Sequence, residues 1–305
     1  MDISIIAYAL NLASIYALMA ISISMIWSSI GMINMAHGAT FAVSGYSAWY
    51  FSVIFKPIIF SFFGKTLLAQ FLMGSVLIGS AMLAGALCGL IIYFLAFLPI
   101  HDKPNYPVRS LIITLGINIA SIQLLLYFFG ARNKGLPKIF GFGRFEIFNI
   151  PIRYDQAGTI IGTSIILLIM LIWLRHSRMG IEIRAMMQNP EGAAYSGISR
   201  RITAIPVLMI TGSLAGISAA LLSQTIFVSP TSGSIPLIKG LTIALLGGLG
   251  NVPGAMIGAI LVGFLEAIVG SIQQRYVMFA TFIFIITILI IRPRGIGGLL
   301  DDTRE

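Results

Sequence analysis

Few polar side chains in this sequence could take part in chemistry, and most of them stand inside long apolar runs. Asn34 and His37 are three positions apart, so a helix would place both on one face. Glu266 is the one acid deep within an apolar run. His37 has no second histidine or carboxylate at ligand spacing, so no metal site is predicted. No Ser-His-Asp arrangement, Walker lysine or zinc-protease motif occurs, which leaves catalysis without candidate residues.

The composition explains why polar groups are so rare. Of 305 residues, 58% are hydrophobic and 10% are charged, against about 45–50% and about 25% in average globular proteins. The mean hydropathy of +0.98 excludes a soluble enzyme, a disordered tail and a nucleic-acid-binding domain. The net charge is +9, but the basic residues lie mostly between the apolar runs. That distribution is typical of a polytopic membrane protein.

Eight or nine membrane spans are predicted, because about 20 apolar residues cross one hydrocarbon core. Uncharged runs of this length favour helices over barrel strands, so the predicted fold is an all-α transmembrane bundle in a single domain, residues 1–305. The first two spans lie between Asp2 and Lys56 and are divided at residues 31–38. The next four runs are residues 66–100, 110–131, 156–174 and 202–238. The span within the last of these runs is predicted to end near Ser229-Pro230.

The final apolar run, residues 241–291, is broken at residues 250–254 and again at Arg275. It is predicted to form one short or re-entrant segment followed by two helices. Its segment 246–254 (LGGLGNVPG) lacks the preceding strand and the later acid of a dinucleotide-binding fingerprint. It is therefore interpreted as a flexible break between two membrane helices.

Four glycine pairs stand at the spacing that lets helix backbones approach closely. They are Gly85 and Gly89, Gly158 and Gly162, Gly212 and Gly216, and Gly254 and Gly258. These pairs predict a compact helical bundle and carry no information about a substrate.

The polar positions inside the spans each have more than one interpretation. Asn34 and His37 either line a break in the bundle or satisfy backbone groups where a helix begins. Glu266 borders a polar path, carries a coupled ion, or bonds neighbouring helices. Lys239 is either an interfacial cation or a gate charge. A polar stripe on the fourth span, facing the bundle interior or a partner, comprises Thr114, Gly116, Asn118 and Gln123.

The candidate residues for a translocation path or gate come from these polar positions and from the glycine-rich break. They are Asn34, His37, Gly38, Asn118, Gly250, Asn251, Gly254 and Glu266.

The polar loop of residues 175–203 contains a short helix between two spans. Asn189 is a good N-cap, Pro190 suits the first helical position, and Glu191 lies at the positive end of the helix dipole. Gly197 can adopt the left-handed conformation that ends a helix. The helix is either part of an ordinary structured loop or a rigid docking element for a partner subunit.

The same loop resembles the coupling motif of ATP-binding-cassette importer permeases, which reads Glu-Ala-Ala, then Gly, then an apolar residue and Pro. Here the motif reads Glu191-Gly192-Ala193-Ala194, then Gly197 and Ile205-Pro206. Three further segments resemble the LivH-type permeases for branched-chain amino acids. They are residues 31–38 (GMINMAHG), 244–266 and 292–298, and their order and spacing match along nearly the whole chain.

This resemblance implies a function and a set of partners. The chain would be the membrane subunit of an importer for branched-chain amino acids in a bacterial-type inner (plasma) membrane, with no cofactor and no catalytic role. A homologous permease, an extracytoplasmic substrate-binding protein and two cytoplasmic ATPases would complete the assembly. The cytoplasmic loop would couple to the ATPases through Asn189, Pro190, Glu191, Ala193, Ala194 and Gly197.

Two alternatives stay open at this point. Urea permeases share the Asn-Met-Ala-His-Gly form of residues 34–38, and many family members carry an acid where this chain has Ala39. A permease for urea or a short-chain amide therefore fits the same motifs. The other alternative is a stand-alone secondary transporter coupled to protons through Glu266.

Overall fold

The structure, a computed structural model, describes residues 4–64, 66–141, 143–147, 150–293 and 295–297. Within these ranges the chain forms eleven α-helices and one β-hairpin. In chain order the elements are α1 (Ser4–Ile30), α2 (His37–Phe63), α3 (Leu67–Ile92), α4 (Tyr106–Phe129), β1 (Arg144–Ile147), β2 (Ile150–Arg153), α5 (Tyr154–His176), α6 (Arg178–Gln188), α7 (Pro190–Tyr195), α8 (Arg200–Leu222), α9 (Ser234–Gly247), α10 (Val252–Ile272) and α11 (Val277–Ile291). A π-helical turn (Tyr93–Phe97) extends α3, and a 3-10 turn (Gln274–Tyr276) precedes α11.

The predicted helical membrane bundle is confirmed. In the described part of the chain, eight helical segments are long and apolar enough to cross a membrane, and α9 is a shorter apolar helix. With 14 residues, α9 is about 21 Å long at 1.5 Å per residue. It is therefore the predicted short segment, and α10 and α11 are the two helices that follow it.

The boundaries around α8 and α9 differ from the prediction. α8 ends at Leu222 and α9 begins at Ser234, whereas the sequence placed these limits near residues 230 and 241. Residues 223–233 form turns between the two helices and contact the loop before β1 at two places. Gln224 Oε1 accepts a hydrogen bond from Ile139 N at 3.0 Å, and Val228 forms an isolated β-bridge with Lys134.

The β-hairpin before α5 was not predicted. Its strands pair antiparallel, with Arg144 opposite Arg153. Just after the hairpin, the buried carboxylate of Asp155 accepts hydrogen bonds from Arg153 and, at 3.0 Å, from Lys138 Nζ. A buried carboxylate needs such partners, and this cluster joins the start of α5 to the preceding loop.

α1 and α8 form the centre of the bundle, and α4 lies at its margin. In the most apolar stretch of each helix, 78% of α1 and 72% of α8 is buried, against 11% of α4. α5, α8, α9 and α10 all pack on α1. The sites described below lie around this central helix.

The glycine pairs of α3 and α8 allow the predicted close approach. A Cβ added at Gly85 would meet the carbonyl of Gly212, and one added at Gly216 would meet the carbonyl of Ala81. Gly89 packs in the same way against the Leu208 carbonyl. These two predicted pairs therefore lie at a real helix contact.

The other two glycine pairs give a mixed result. Gly254 and Gly258 pack against the backbone of α9, as predicted. Gly158 faces the Phe140 ring, and no atom lies within 4 Å of a Cβ added at Gly162. The prediction of a helix contact at that last pair is wrong.

Candidate functional site

The coupling segment, residues 178–199, comprises α6, α7 and the turn that follows. Asn189 caps α7, because its side-chain oxygen accepts a hydrogen bond at 2.9 Å from the backbone N–H three residues later. Pro190 and Glu191 lie in the first turn. Gly197 follows the helix with φ of +83°, a conformation that favours glycine. The predicted local structure of this helix is confirmed.

α7 has one anchored face and one exposed face. Ala193 is buried, whereas Glu191 and Ala194 are exposed and Tyr195 is 92% exposed. Tyrosine is enriched at protein interfaces because it supplies a large contact area with a polar tip. The exposed face of α7 is therefore suited to contact another protein.

Two arginines, one within the coupling segment and one directly after it, bond to the ends of spanning helices. Arg184 in α6 donates to two carbonyls in the last turn of α5, at 3.0 Å each. Arg200 donates to the Ile30 carbonyl at the end of α1 and lies 4.8 Å from the centroid of the Tyr106 ring. Carbonyls at helix C-termini lack intrahelical donors and carry partial negative charge. These cations therefore tie the segment to α5 and α1.

The glycine turn, residues 248–251, joins α9 to α10. Gly248 and Gly250 have φ of +89° and +93°, which other residues rarely adopt. Gly250 N donates to Ser24 Oγ of α1 at 2.9 Å. Asn251 caps α10 by accepting, at 2.8 Å, from the backbone N–H three residues later. The predicted break between two helices is present, but it is an ordered turn held against α1 and not the flexible segment that was expected.

Two cavities meet at the glycine turn. The coupling-side cavity, of 730 Å³, is lined by the end of α5, the end of α6, residues 248–253 and Gly297. The inner cavity, of 260 Å³, lies between α1, residues 32–35, α4 and α9. Its lining consists of ten aliphatic or methionine side chains together with Trp27 and Asn34. Leu249 lines both cavities.

Residues 31–36, which connect α1 to α2, are held by the start of α4. Ser110 and Thr114 accept hydrogen bonds from two backbone N–H groups of this connection, at 3.2 and 2.9 Å. Asn34 lies before α2, and its side-chain oxygen accepts from the backbone N–H two residues later at 3.0 Å. His37 is the first residue of α2. The expectation that Asn34 and His37 share a helical face is therefore wrong, while Asn34 satisfies local backbone as its second interpretation proposed.

His37 and Gly38 are buried where α2 begins. His37 Nε2 lies 2.7 Å from Ser22 Oγ of α1. A Cβ added at Gly38 would lie 3.0 Å from the Gly233 carbonyl oxygen, so the starts of α2 and α9 pack closely. Neither residue is part of the lining of the two cavities described above.

Glu266 bonds three helices other than its own α10. Its Oε2 accepts from Tyr16 of α1 and from Lys239 Nζ of α9, both at 2.7 Å. Its Oε1 accepts from Thr281 of α11 at 3.1 Å. The side chains of Lys239 and Glu266 are only 11% and 3% exposed. This arrangement supports the helix-bonding interpretation of Glu266 and places Lys239 in an ion pair within the bundle.

The polar stripe expected on the fourth span is divided between two sides of α4. Thr114 is buried, Asn118 is half-buried, and Gly116 and Gln123 are exposed. The structure does not bring Asn118 together with the glycine turn. Only Thr114 faces the bundle interior.

Several residues at these sites were not singled out by sequence reasoning, because isolated hydroxyl and apolar side chains in a span carry little signal. They are Tyr16, Ser22, Ser24, Leu249 and Thr281. The ion pair could have been found from Lys239, since a buried cation needs an acidic partner. Among the residues that the structure describes, no group of three or more His, Cys, Asp or Glu side chains is placed to hold a metal ion.

The chain is similar to transport permeases over almost its whole length. The family model described as "Branched-chain amino acid transport system / permease component" matches residues 5–291. The high-affinity branched-chain amino acid transport system permease protein LivH of Escherichia coli (strain K12) is 30% identical over 94% of this chain and 92% of its own.

Two further relatives carry similar names. The high-affinity branched-chain amino acid transport system permease protein BraD of Pseudomonas aeruginosa is 30% identical over 95% of this chain and 93% of its own. The probable branched-chain amino acid transport permease protein LivH of Methanocaldococcus jannaschii is 30% identical over 70% of this chain and 71% of its own. No solved structure matches the chain significantly.

Proposed function

This chain belongs to the branched-chain amino acid transport permease family, and from that membership we propose that it is the membrane-spanning subunit of an ATP-driven importer of branched-chain amino acids. It would act in the inner membrane with a homologous permease, a substrate-binding protein and two cytoplasmic ATPases. ATP hydrolysis would take place on the ATPases, and this chain would have no catalytic role.

The coupling segment is the observation that carries this proposal. It combines an Asn189-capped helix, an exposed Tyr195 and a glycine end at Gly197. It is also joined by Arg184 and Arg200 to the ends of α5 and α1. A rigid helix that is exposed outward and bonded inward can transmit force from a partner to the bundle.

In the proposed cycle, the ATPases close on ATP and push α7. The push reaches α1 and α5 through the two arginines, and the bundle alternates between outward-facing and inward-facing states. Asn34, Gly250 and Asn251 border the path in this proposal, because they line the two cavities. A path or gate role for His37, Gly38, Asn118, Gly254 and Glu266 stays a prediction.

The transport assignment is tested by reconstituting the chain in vesicles with an ATPase, a partner permease and a substrate-binding protein from the same cell. We expect ATP-dependent uptake of leucine that excess isoleucine inhibits and that urea or a polar amino acid leaves unchanged. Uptake that persists without ATP but collapses with the proton gradient would support the secondary-transporter alternative instead. Inhibition by urea alone would support the urea permease.

The coupling role is tested by Gly197→Trp in the same assembly. A bulky side chain on this exposed turn obstructs ATPase contact, so we expect normal membrane insertion and loss of ATP-driven uptake. Gly130→Trp is the matched control: Gly130 also has positive φ and no atom within 4 Å of an added Cβ, but it lies at the other end of α4 from the Arg200–Tyr106 contact. Unchanged uptake with Gly197→Trp would contradict the coupling role.

A further inference from the structure

We propose that Leu249 is the plug that closes the inner cavity toward the coupling side, and that this cavity holds the aliphatic side chain of the substrate. The inference rests on the importer function proposed above and deepens it by naming the site and the gate.

The inner cavity suits an aliphatic group. Its wall is formed by the apolar faces of α1 and α9 together with residues 32–35 and Leu111 of α4, and Asn34 is the one amide in it. The side-chain oxygen of Asn34 is already bonded to backbone. Urea would bury its N–H groups there with few acceptors, which is unfavourable. A branched alkyl group has no such cost, and 260 Å³ is just below the range of about 300–1,000 Å³ for sites that take drug-sized molecules.

Leu249 stands between this cavity and the coupling side. It is the residue that the two linings share, and it is half-buried and packs against the main core of the bundle. On its far side, the coupling-side cavity is bordered by Met187 and Gln188 at the end of α6. Those residues directly precede Asn189, so a displacement of α7 changes the wall that faces Leu249.

The turn that carries Leu249 lies between α9 and α10 and belongs to neither helix. Leu249 is flanked by Gly248 and Gly250, both at positive φ, and glycine crosses between backbone regions at little cost. α9 itself is anchored about two turns before its end by the ion pair between Lys239 and Glu266. In this proposal, Leu249 shifts when its flanking glycines change conformation and the hydrogen bond from Gly250 N to Ser24 Oγ breaks, while the ion pair holds α9 in place.

The plug is tested by thiol accessibility in the assembled transporter. Cys88, the single cysteine, is replaced by Ser, and Leu241→Cys places a thiol on the inner cavity. In inside-out vesicles without ATP, a membrane-impermeant methanethiosulfonate reagent should modify this thiol slowly. We expect Leu249→Ala to speed the modification about tenfold, equivalent to about 1.4 kcal/mol in the barrier. Leu249→Met, which keeps the volume, should leave the rate slow.

Two controls separate the plug from general loosening of the bundle. Leu261→Ala removes a leucine from the exposed surface of α10 and should not change the rate. A thiol introduced by Ala219→Cys, in the fully buried part of α8, should stay unreactive in the Leu249→Ala background. Equal modification of the Leu241→Cys thiol with Leu or Ala at position 249 would overturn the plug, as would equal exposure of the Ala219→Cys thiol.

The occupant of the cavity is tested by protection. Leucine should slow the modification of the Leu241→Cys thiol in the Leu249→Ala background, and urea should not. Protection by urea but not leucine, or by neither, would overturn the aliphatic site. These rates need no transport, so a failed uptake assay would count against the importer function and leave the plug standing.

Discussion

The coupling segment and the glycine turn begin their helices with the same local sequence signals but lie in different surroundings. Asn189 caps α7 and Asn251 caps α10, each by accepting from the backbone N–H three residues later. Each helix has a proline in its first turn. A glycine at positive φ lies close to each helix, Gly197 after α7 and Gly250 before α10.

The two regions differ in what surrounds them. Around Gly197 no atom lies within 4 Å of an added Cβ, whereas at Gly250 that Cβ would lie 2.9 Å from Ser28 Cβ. Asn189 is exposed, but Asn251 also donates from Nδ2 to the Gly297 carbonyl at 3.2 Å. The same signals therefore begin an exposed helix in one place and a packed joint in the other. Substitutions should affect partner coupling in the first region and stability in the second.

The largest effect is expected at the ion pair that anchors the packed region. Lys239→Ala leaves Glu266 buried without its cation, and removing one partner of a buried pair costs about 3–5 kcal/mol. The measurement is the thermal unfolding midpoint of the purified chain in detergent. The double variant Lys239→Met with Glu266→Met should recover much of this loss, since replacing both partners by apolar groups is often close to neutral.

Glu191→Gln removes an exposed charge from the coupling segment and is compared with the buried Lys239→Ala variant. We expect no shift of its unfolding midpoint, because the carboxylate lies in solvent and exposed charges contribute little to stability. Equal destabilisation by Lys239→Ala and Glu191→Gln would remove the contrast between the two regions.

Next in size is the difference between the two glycines. Gly197→Ala and Gly250→Ala both place a Cβ on a left-handed backbone, at about 1–2 kcal/mol each. Gly250→Ala also crowds Ser28, which adds about 1–3 kcal/mol. The unfolding midpoint should therefore fall further for Gly250→Ala, and equal shifts would show that the turn does not pack as tightly as its contacts indicate.

The smallest difference in stability between the two regions is expected for the two helix caps. Asn189→Ala and Asn251→Ala should each cost about 1 kcal/mol, and Asn251→Ala about 1 kcal/mol more through its second hydrogen bond. We expect the reverse order for transport: Asn189→Ala should reduce ATP-driven uptake per inserted subunit more than Asn251→Ala does. If the same variant were worse in both measurements, stability alone would explain the loss of uptake.

Much of this architecture could be predicted from sequence because it depends on neighbouring residues. The length of each apolar run fixed which segments can span, and Asn189, Pro190 and Gly197 marked the ends of a helix whatever packs around it. The same is true of the break between α9 and α10, although it lies at residues 248–251 and not at residues 250–254. Of the segment 292–298 that carries part of the family resemblance, Arg294 and Gly298 lie outside the described residues.

Other expectations were wrong because they depended on how the helices begin and pack in the folded chain. A spacing of three residues placed Asn34 and His37 on one helical face, but the helix begins only at His37. The glycines at 158 and 162 had the right interval for a helix contact, yet Gly162 faces open space. The spacing of two residues along a helix determines whether they share a face. It does not determine which other helix that face contacts.

By itself, then, the sequence determined a membrane bundle of about this number of spans, the capped helix of the coupling segment and the family resemblance. The tertiary structure decided that Glu266 bonds Tyr16, 250 positions away, and Lys239, 27 positions away. It also decided that Leu249 lines two cavities. Apolar length and helix caps are properties of a few adjacent residues, whereas ion pairs and cavities exist only once distant helices have packed together.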